Sequence, residues 1–316
     1  MRICYLCGIF RAWLIMDQLF KINSVAEYCE FFGIRMQHPL VTVANFNDFG
    51  AYPSGMMESN LYLVMYKEIA CGVLKYGRSQ YDYQAGTLLF TAPGQRIGIA
   101  GKKAGDPPQA CGHALVIHPD MIYGTTLAKR IKEYTFFSYD SNEALHMSDR
   151  EKIIIQNCLH EIQDELDHNI DRHTKQIIAS NVETLLNHCV RFYDRQFITR
   201  EASNRNLMSR LDEILHNYYA SENHSDMGIP SVQYCAGEIC LSANYFGDLV
   251  KKETGHTAQE YIHAFVVNRA KEMLMDGEMN VSEIAYELGF RYPHHLTRVF
   301  KKMTGITPNE YRTASN

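Results

Sequence analysis

Residues 251–261 are KKETGHTAQEY, and residues 301–311 are KKMTGITPNEY. The two segments align at an offset of 50 residues, and the match continues toward the N-terminus at an offset of 49, where Ala236 corresponds to Ala285. The change of offset predicts one extra residue between the paired helices of the second copy. Two copies are too few for a solenoid, so the pattern indicates one module used twice on a periodic target.

Each copy has the sequence pattern of a helix-turn-helix unit. In the second copy, Asn280 and Glu283 form a predicted capping box, and Gly289 ends the helix that they start. In the first copy, Ser242 is the predicted N-cap of the second helix, but Cys240 stands where the second copy has Gly289. The turn of the first copy is therefore predicted to be the less typical of the two.

A long helix is predicted between the two copies, from residue 258 to residue 276. At about 1.5 Å per residue it would be about 28 Å long, and the major-groove repeat on one face of DNA is roughly 34 Å. A stiff helix of that length could hold two recognition helices in successive major grooves. The alternative is a helical bundle that only resembles this arrangement.

The charge balance does not favour simple electrostatic attraction to nucleic acid. The whole chain has a net charge of −5, and residues 207–316 contain ten basic and fourteen acidic residues, 10 − 14 = −4. DNA binding is therefore predicted from local pattern and not from total charge. Residues 288–302 supply that pattern, because they contain no acidic residue and four basic ones, Arg291, Arg298, Lys301 and Lys302.

Four motifs occur in the C-terminal region: CLSANYF (240–246), KKETG (251–255), IAYELGF (284–290) and RVFKKMTGITPNEYR (298–312). Together they resemble the DNA-binding domain of the AraC-type (AraC/XylS) transcription regulators. The resemblance implies that residues 242–254 and 292–304 are the two recognition helices. It assigns base contacts to Asn244, Gly247 and Asp248 in the first helix, and to His294, His295 and Arg298 in the second. The predicted phosphate contacts are Ser242, Lys251, Lys252, Arg291, Lys301 and Lys302.

Asp248 departs from the family pattern, in which arginine often occupies this position and can contact guanine. An aspartate cannot make that contact and repels phosphate, although it can accept a hydrogen bond from cytosine. The second unit is therefore expected to supply more of the DNA affinity. For His294 and His295, a solvated surface position without a role in recognition is the alternative.

Residues 61–118 contain short apolar stretches separated by glycine and proline, which predicts a small β-barrel or sandwich. The family resemblance implies a cupin-like barrel that senses a ligand. Tyrosines in this region are candidates for binding a small-molecule effector, and packing within the sheet is their alternative role. The candidate tyrosines are Tyr62, Tyr66, Tyr76 and Tyr83. The predicted strands are residues 61–66, 71–76, 87–91, 97–100 and 113–117.

Metal-dependent or catalytic chemistry is not expected. The paired histidines and glutamate of metal-binding cupins are missing, since His113 and His118 lack a carboxylate partner in the expected motif. We therefore expect no metal, no other cofactor and no catalytic residue, and the chain is predicted not to be an enzyme. The alternative is a cupin-type metal-binding sensor or enzyme fused to a DNA-binding tail.

Two long helices are predicted between the strands and the repeat. Ser148 and Glu151 form a capping box at the start of the first helix, and the second helix extends from about residue 174 to residue 193. The apolar stripe of the second helix serves either the core of its own domain or self-association. The predicted fold class is therefore α+β, with a cupin-like β-barrel and two helices followed by an all-α domain of two helix-turn-helix units joined by a long helix.

The domain boundaries follow from these patterns. Residues 17–198 are the predicted sensing and dimerisation domain, and residues 207–316 are the predicted DNA-binding domain. Residues 199–206, TREASNRN, are polar and lack an apolar anchor, so they are the predicted linker. Residues 1–16 are an N-terminal extension, for which disorder, a packed edge element and a targeting signal are the three alternatives.

Together these features predict a sequence-specific DNA-binding transcription regulator, with activation as the expected direction. Its expected partners are double-stranded operator DNA, a second copy of the chain, a small-molecule effector and, by family inference, RNA polymerase. The nine cysteines are spread along the chain, which indicates reduced thiols in the cytoplasm and not a disulfide framework. No stretch of 18 consecutive apolar residues occurs, which argues against a membrane span.

Overall fold

The computed structural model describes residues 18–68, 86–99, 101–103, 105, 111–140, 143–199, 201–220 and 228–315. The chain divides into two compact units, residues 1–196 and residues 197–316. The predicted N-terminal extension (1–16), the predicted strand at 71–76, and Tyr76 and Tyr83 all lie outside the described residues.

The first unit contains the strands, which form two sheets. One sheet has the order β1-β3-β6, and the other has the order β2-β7-β4-β5-β8. β1 pairs with β3 in parallel, whereas the other pairings are antiparallel. The strands are β1 (Leu19–Ile22), β2 (Val41–Asn45), β3 (Gly55–Ser59), β4 (Tyr62–Glu68), β5 (Thr87–Thr91), β6 (Gln95–Ile99), β7 (Cys111–Ile117) and β8 (Leu145–His146).

The α-helices described in the first unit follow or separate these strands. They are α1 (Val25–Phe32), α2 (Pro119–Ile122), α3 (Thr126–Arg130), α4 (Asp149–Asp167) and α5 (Thr174–Thr199). The predicted capping box starts α4, where Ser148 Oγ accepts from the Glu151 amide and Glu151 Oε2 accepts from the Ser148 amide at 2.8 Å. The apolar stripe predicted for α4 is buried at Ile155, Leu159 and Ile162.

The five-stranded sheet is covered on both faces, which explains why all five residues of β5 are buried. On one face, Leu63 and Val116 pack into a core with Val25 and Phe32 of α1. On the other face, Phe90 contacts Phe136, with ring centroids 4.5 Å apart. A strand between two apolar layers favours a continuous apolar run over strict alternation.

The predicted α+β fold class is confirmed, with a β-rich first unit and a helical second unit. The described strands form two sheets, so the β-rich region is not a closed barrel. The sequence analysis also missed β1, β2, β3 and β8. β1 and β8 have only four and two residues, and β1 pairs with a strand more than thirty residues further along the chain. Such pairing leaves little local signal in the sequence.

The described regular elements of the second unit are all helices. Its helices are α6 (Glu201–Ala220), α7 (Val232–Glu238), α8 (Ala243–Thr254), α9 (Ala258–Asp276), α10 (Val281–Glu287), α11 (Pro293–Thr304) and α12 (Pro308–Ser315). The helix pairs α7–α8 and α10–α11 are the two helix-turn-helix units, and α9 is the predicted connecting helix. They share one core, which contains Phe246, Val266, Ile284 and Phe300.

The predicted linker spans residues 199–206. α5 ends at Thr199 and α6 begins at Glu201, so most of this segment is helical and not irregular. Alanine, glutamate and arginine within it are strong helix formers. They extend into the amphipathic part of α6, which buries Leu211 and Leu215.

The turns of the two helix-turn-helix units have the same backbone hydrogen bonds. In the first turn, the Leu241 amide donates to Ala236 O at 3.0 Å, and in the second turn the Phe290 amide donates to Ala285 O at 2.8 Å. This bond is the outer one of a Schellman ending, which needs a left-handed residue. Gly289 fills that position with φ 82°, and Cys240 fills it in the first turn with φ 60°. Among the described residues, Cys240 is the one non-glycine residue with positive φ.

Candidate nucleic-acid interface

The two candidate recognition helices, α8 and α11, have defined ends. α8 follows Ser242, whose Oγ accepts from the Tyr245 amide at 3.2 Å. α11 follows Tyr292 and has Pro293 in its first turn, where the absence of an N–H removes no helical bond. Gly255 and Gly305 end the helices in the left-handed conformation, and their amides donate to Lys251 O and Lys301 O, respectively.

Buried apolar anchors fix the face that each helix presents to solvent. α8 buries Phe246 and Val250 completely, and α11 does the same with Leu296 and Phe300. Burying a large apolar side chain contributes about 1.5–3 kcal/mol, whereas an exposed ion pair contributes about 0–1 kcal/mol. The anchors and not the surface charges therefore determine the orientation of both helices.

Three charged candidates lie on the exposed face of α11. Arg298, Lys301 and Lys302 are exposed there, and Arg291 is exposed just before the helix. The Arg291 guanidinium lies 5.7 Å from the centroid of the Tyr292 ring. Four cations within fifteen residues, with no acid among them, form a surface that suits a phosphate backbone.

His294 and His295 form an aromatic cluster with Tyr292 at the start of α11. The two imidazole centroids are 4.4 Å apart, and the Tyr292 ring stacks on His294 at 5.5 Å. Desolvation lowers the pKa of His295, and the charges of His294 and Arg298 lower it further. The lowered pKa favours the neutral form of the His295 imidazole. A neutral imidazole can both donate and accept a hydrogen bond, which suits a base edge better than a phosphate.

The corresponding face of α8 is less basic. Asn244 is exposed, while Gly247 and Asp248 are half-buried. A Cβ added to Gly247 would meet no atom within 4 Å, so this position opens to free space. Lys251 and Lys252 are exposed in the last turn, as are Lys301 and Lys302 of α11. Cations at this end also interact favourably with the helix dipole, which gives these lysines a stabilising role besides phosphate contact.

Tyr62 and Tyr66 are the candidate effector tyrosines that lie within the described residues. Tyr62 and Tyr66 point away from Leu63 and the core at α1, because side chains alternate along a strand. The Tyr62 ring packs edge-on against Phe137, with centroids 5.2 Å apart. Tyr66 is buried, and its hydroxyl donates to Glu68 Oε1 at 3.0 Å. Both side chains therefore have contacts within the first unit.

A polar cleft in the first unit was not predicted from the sequence. It has a volume of about 640 Å³ and lies where the segment before β2 meets the C-terminal end of α4. Arg35, Asp48 and Asp167 contribute charged side chains, and Gln37 and Asn45 contribute amides. These residues come from three separate segments, so no local motif could have identified them.

The described residues lack two further features. Within that part of the chain, no group of three or more His, Cys, Asp or Glu side chains is placed to hold a metal ion. No described helix is both long enough and apolar enough to cross a membrane.

Residues 235–314 match a family model described as a helix-turn-helix domain. Over 92 residues the chain is 37% identical to the transcriptional regulatory protein YesN of Bacillus subtilis, a match that covers 28% of this chain and 25% of YesN. Over 83 residues it is 30% identical to the HTH-type transcriptional activator RhaR of Salmonella typhi, covering 26% of this chain and 29% of RhaR. The chain thus spans less than a third of the length of these curated relatives.

A solved structure is also similar to this chain. The C-terminal domain of the two-component response regulator yesN from Fusobacterium nucleatum is 27% identical, with a TM-score of 0.30. That match covers 34% of this chain and 98% of the solved domain.

Proposed function

We propose that the protein is a transcription regulator of the AraC type that binds double-stranded DNA sequence-specifically, since residues 235–314 match a helix-turn-helix family model. One observation carries the proposal. The two helix-turn-helix units repeat within one core, and the second presents an exposed, acid-free basic face on α11. Its function is binding and not catalysis.

The exposed residues divide into two roles in this proposal. Base contacts come from Asn244, Gly247 and Asp248 in α8, and from His294, His295 and Arg298 in α11. Ser242, Lys251, Lys252, Arg291, Lys301 and Lys302 contact phosphates, which sets the position of the protein without selecting sequence. Because α8 has an acid on this face and α11 has none, the second helix-turn-helix unit supplies more of the affinity for DNA.

Selection from a randomised duplex library tests the proposal. The full-length protein is incubated with the library in about 0.15 M salt, and the bound duplexes are recovered and sequenced. We expect enrichment of one site with two conserved blocks. The control is a protein with Arg298→Ala and His295→Ala together, which should enrich only the block that α8 contacts. Recovery of random sequence by the unaltered protein contradicts the proposal.

We also propose that a small molecule regulates DNA binding through the first unit. The polar cleft around Arg35 and Asp167 supports this part, because a few charged and amide groups around a cleft of this size suit a small ligand. Thermal shift against a panel of polar metabolites identifies candidates. Arg35→Ala should abolish the shift for a true ligand of the cleft, while Arg96→Ala, which removes an exposed arginine that lies outside the cleft, should leave it unchanged.

The remaining proposals concern assembly and direction. The protein forms a homodimer through its first unit, which exposes Ile153 on α4 and Ile177 and Val190 on α5. Light scattering after gel filtration measures the mass, and Ile177→Glu should shift it toward 36 kDa, the mass of one chain.

The protein activates transcription in the cytoplasm by contacting RNA polymerase, since the relative RhaR is named an activator. A reporter behind the selected site should rise on expression of the protein, and repression contradicts this direction.

A further inference from the structure

The last turn of α6 contains two adjacent buried tyrosines with different partners. The Tyr218 ring packs edge-on against Tyr234 of α7, with centroids 5.1 Å apart, and so contacts the first helix-turn-helix unit. The Tyr219 hydroxyl donates to Leu288 O at 3.2 Å, and so contacts the second unit. One turn of helix therefore joins both units independently of the connecting helix α9.

The atom that Tyr219 contacts belongs to the turn of the second unit. Leu288 is the C-cap of α10, and Gly289 follows it in the left-handed conformation. Tyr219 is only 6% exposed and Leu288 only 1%, so water has little access to this hydrogen bond. A buried carbonyl left without a donor costs about 1–3 kcal/mol. The bond therefore fixes the turn against α6, and with it the start of α11.

The central helix α9 holds the Tyr219 ring from another side. The Arg269 guanidinium lies 5.0 Å from the ring centroid, and the Phe265 ring stacks on it at 6.2 Å. Burial raises the pKa of the Tyr219 hydroxyl, which keeps it protonated as a donor. Tyr219 is thus fixed in place by α9 while it contacts the turn between α10 and α11.

The backbone after α6 approaches the same turn. The Tyr218 hydroxyl donates to Gly228 O at 2.6 Å. A Cβ on Gly289 would lie 2.5 Å from the carbonyl carbon of Gly228, so the two backbones are in direct contact. Both tyrosines therefore act on one turn, Tyr219 directly and Tyr218 through Gly228.

We propose that Tyr219, supported by the Tyr218–Gly228 contact, is a positioning residue that fixes the angle between the two helix-turn-helix units. That angle determines the spacing at which the two recognition helices can occupy their DNA subsites together. The inference rests on the proposed DNA-binding function, and it assigns spacing selectivity to a residue that contacts no DNA.

Full-length proteins and three DNA duplexes test this inference. The duplexes are the site selected by the unaltered protein, and the same site with one base pair added or removed between its two blocks. Tyr219→Phe removes only the hydroxyl. We expect its affinity for the selected spacing to fall about 3- to 10-fold, which corresponds to one lost hydrogen bond. Its affinity for the altered spacings should fall less. The ratio of its affinity for the selected spacing to its affinity for the altered spacings therefore becomes smaller than in the unaltered protein.

Tyr261→Phe is the matched control. The Tyr261 hydroxyl donates to Asp212 Oδ1 of α6 at 2.8 Å, so this variant also loses a hydrogen bond between helices, but one that does not involve a turn. The control should keep the spacing preference of the unaltered protein. If Tyr219→Phe does not fold, Tyr218→Phe tests the same inference through the contact with Gly228.

The outcomes separate the inference from the proposed function. If Tyr219→Phe changes the affinity by the same factor on all three duplexes, the spacing preference is unchanged. This result overturns the inference but not the proposed function. An equally reduced ratio of affinities in Tyr261→Phe also overturns the inference, because the loss of any contact of α6 would then weaken the spacing preference. Failure of the unaltered protein to select any sequence overturns the proposed function, and the inference with it.

Discussion

Cys240 has a backbone conformation that L-amino acids other than glycine avoid. The Cβ of such a residue crowds the backbone in the left-handed region, which costs roughly 1–2 kcal/mol. Cys240 is exposed, so no packing of its side chain offsets this cost. The hydrogen bonds of the turn hold it there, since the Cys240 amide donates to Gly237 O at 3.0 Å.

Cys240→Gly should therefore raise the free energy of unfolding by about 0.5–1 kcal/mol, after the greater chain entropy of glycine is subtracted. Urea denaturation of the full chain, followed by circular dichroism, measures the change. Cys240→Ala is the control, because it removes the thiol but keeps the Cβ. Equal stabilisation by both substitutions would assign the effect to the sulfur and contradict the backbone explanation.

Arg298 and Lys302 are both exposed on α11, but they should affect DNA binding differently. Arg298→Ala should weaken binding to the selected site by about 1–3 kcal/mol and relax the preference at one base. Lys302→Ala should weaken all sequences alike and reduce the slope of log affinity against log salt by about one. Gel-shift titrations on selected and scrambled duplexes at several salt concentrations separate the two. A loss confined to one base for Lys302→Ala would show that the roles are assigned wrongly.

At the scale of elements, Gly247 lowers the stability of α8, although no close packing contact within the chain requires a glycine at this position. It occupies the middle of the helix, where glycine is about 0.5–1 kcal/mol less favourable than alanine. A Cβ at this position would meet open space, so the absence of a side chain is not needed by the fold.

Gly247→Ala should therefore raise the free energy of unfolding by about 0.5–1 kcal/mol, measured by denaturation. Gly247→Leu should fold as well, but should lower affinity for the selected DNA by about the 1–3 kcal/mol of a lost base contact. Opposite effects on stability and on binding are the expected signature of a surface occupied by DNA. Unchanged affinity in Gly247→Leu would remove this position from the interface.

The elements that the sequence predicted well are those determined locally. The capping boxes at Ser148 and Asn280 and the glycine turn at Gly289 follow from side chains within a few residues of each other. β1 could not be found in this way, because its register depends on β3. The role of Tyr219 was equally hidden, since its partner Leu288 is 69 residues away in sequence.

For the whole molecule, α9 limits how far apart the two recognition helices can be. Its 19 residues span about 28 Å at about 1.5 Å per residue. Both of its ends are capped, by the Thr257–Glu260 capping box and by Gly277 with φ 74°. The connection between the two units therefore has a fixed length.

Inserting five base pairs between the two blocks of the selected site should place them on opposite faces of the duplex, because one turn has roughly 10 base pairs. Only one unit could then bind, and affinity should fall about 100-fold or more with the loss of the second contact. Inserting ten base pairs restores the face but exceeds the reach of α9, so affinity should stay low. Recovery of affinity with ten base pairs, measured by gel shift, would show that the connection stretches.

The division of the candidate site between the two units was predictable in part. The basic residues of α11 and the acid at Asp248 are visible in the sequence, and the structure leaves both helices with an exposed face. The charged cleft around Arg35 was not predictable, because its groups converge only when β2 and α4 are in place. Convergence of distant segments depends on tertiary packing, which single-sequence patterns do not report.

The contact between Gly228 and Gly289 makes the turns of the two helix-turn-helix units differ in the substitutions that they tolerate. Position 240 can exchange its residue at a cost of roughly 1–2 kcal/mol set by local conformation alone. Position 289 cannot, because any side chain there would also displace the backbone at Gly228. Substitution of the turn residue is therefore restricted by a second backbone segment in the second helix-turn-helix unit, and by local conformation alone in the first.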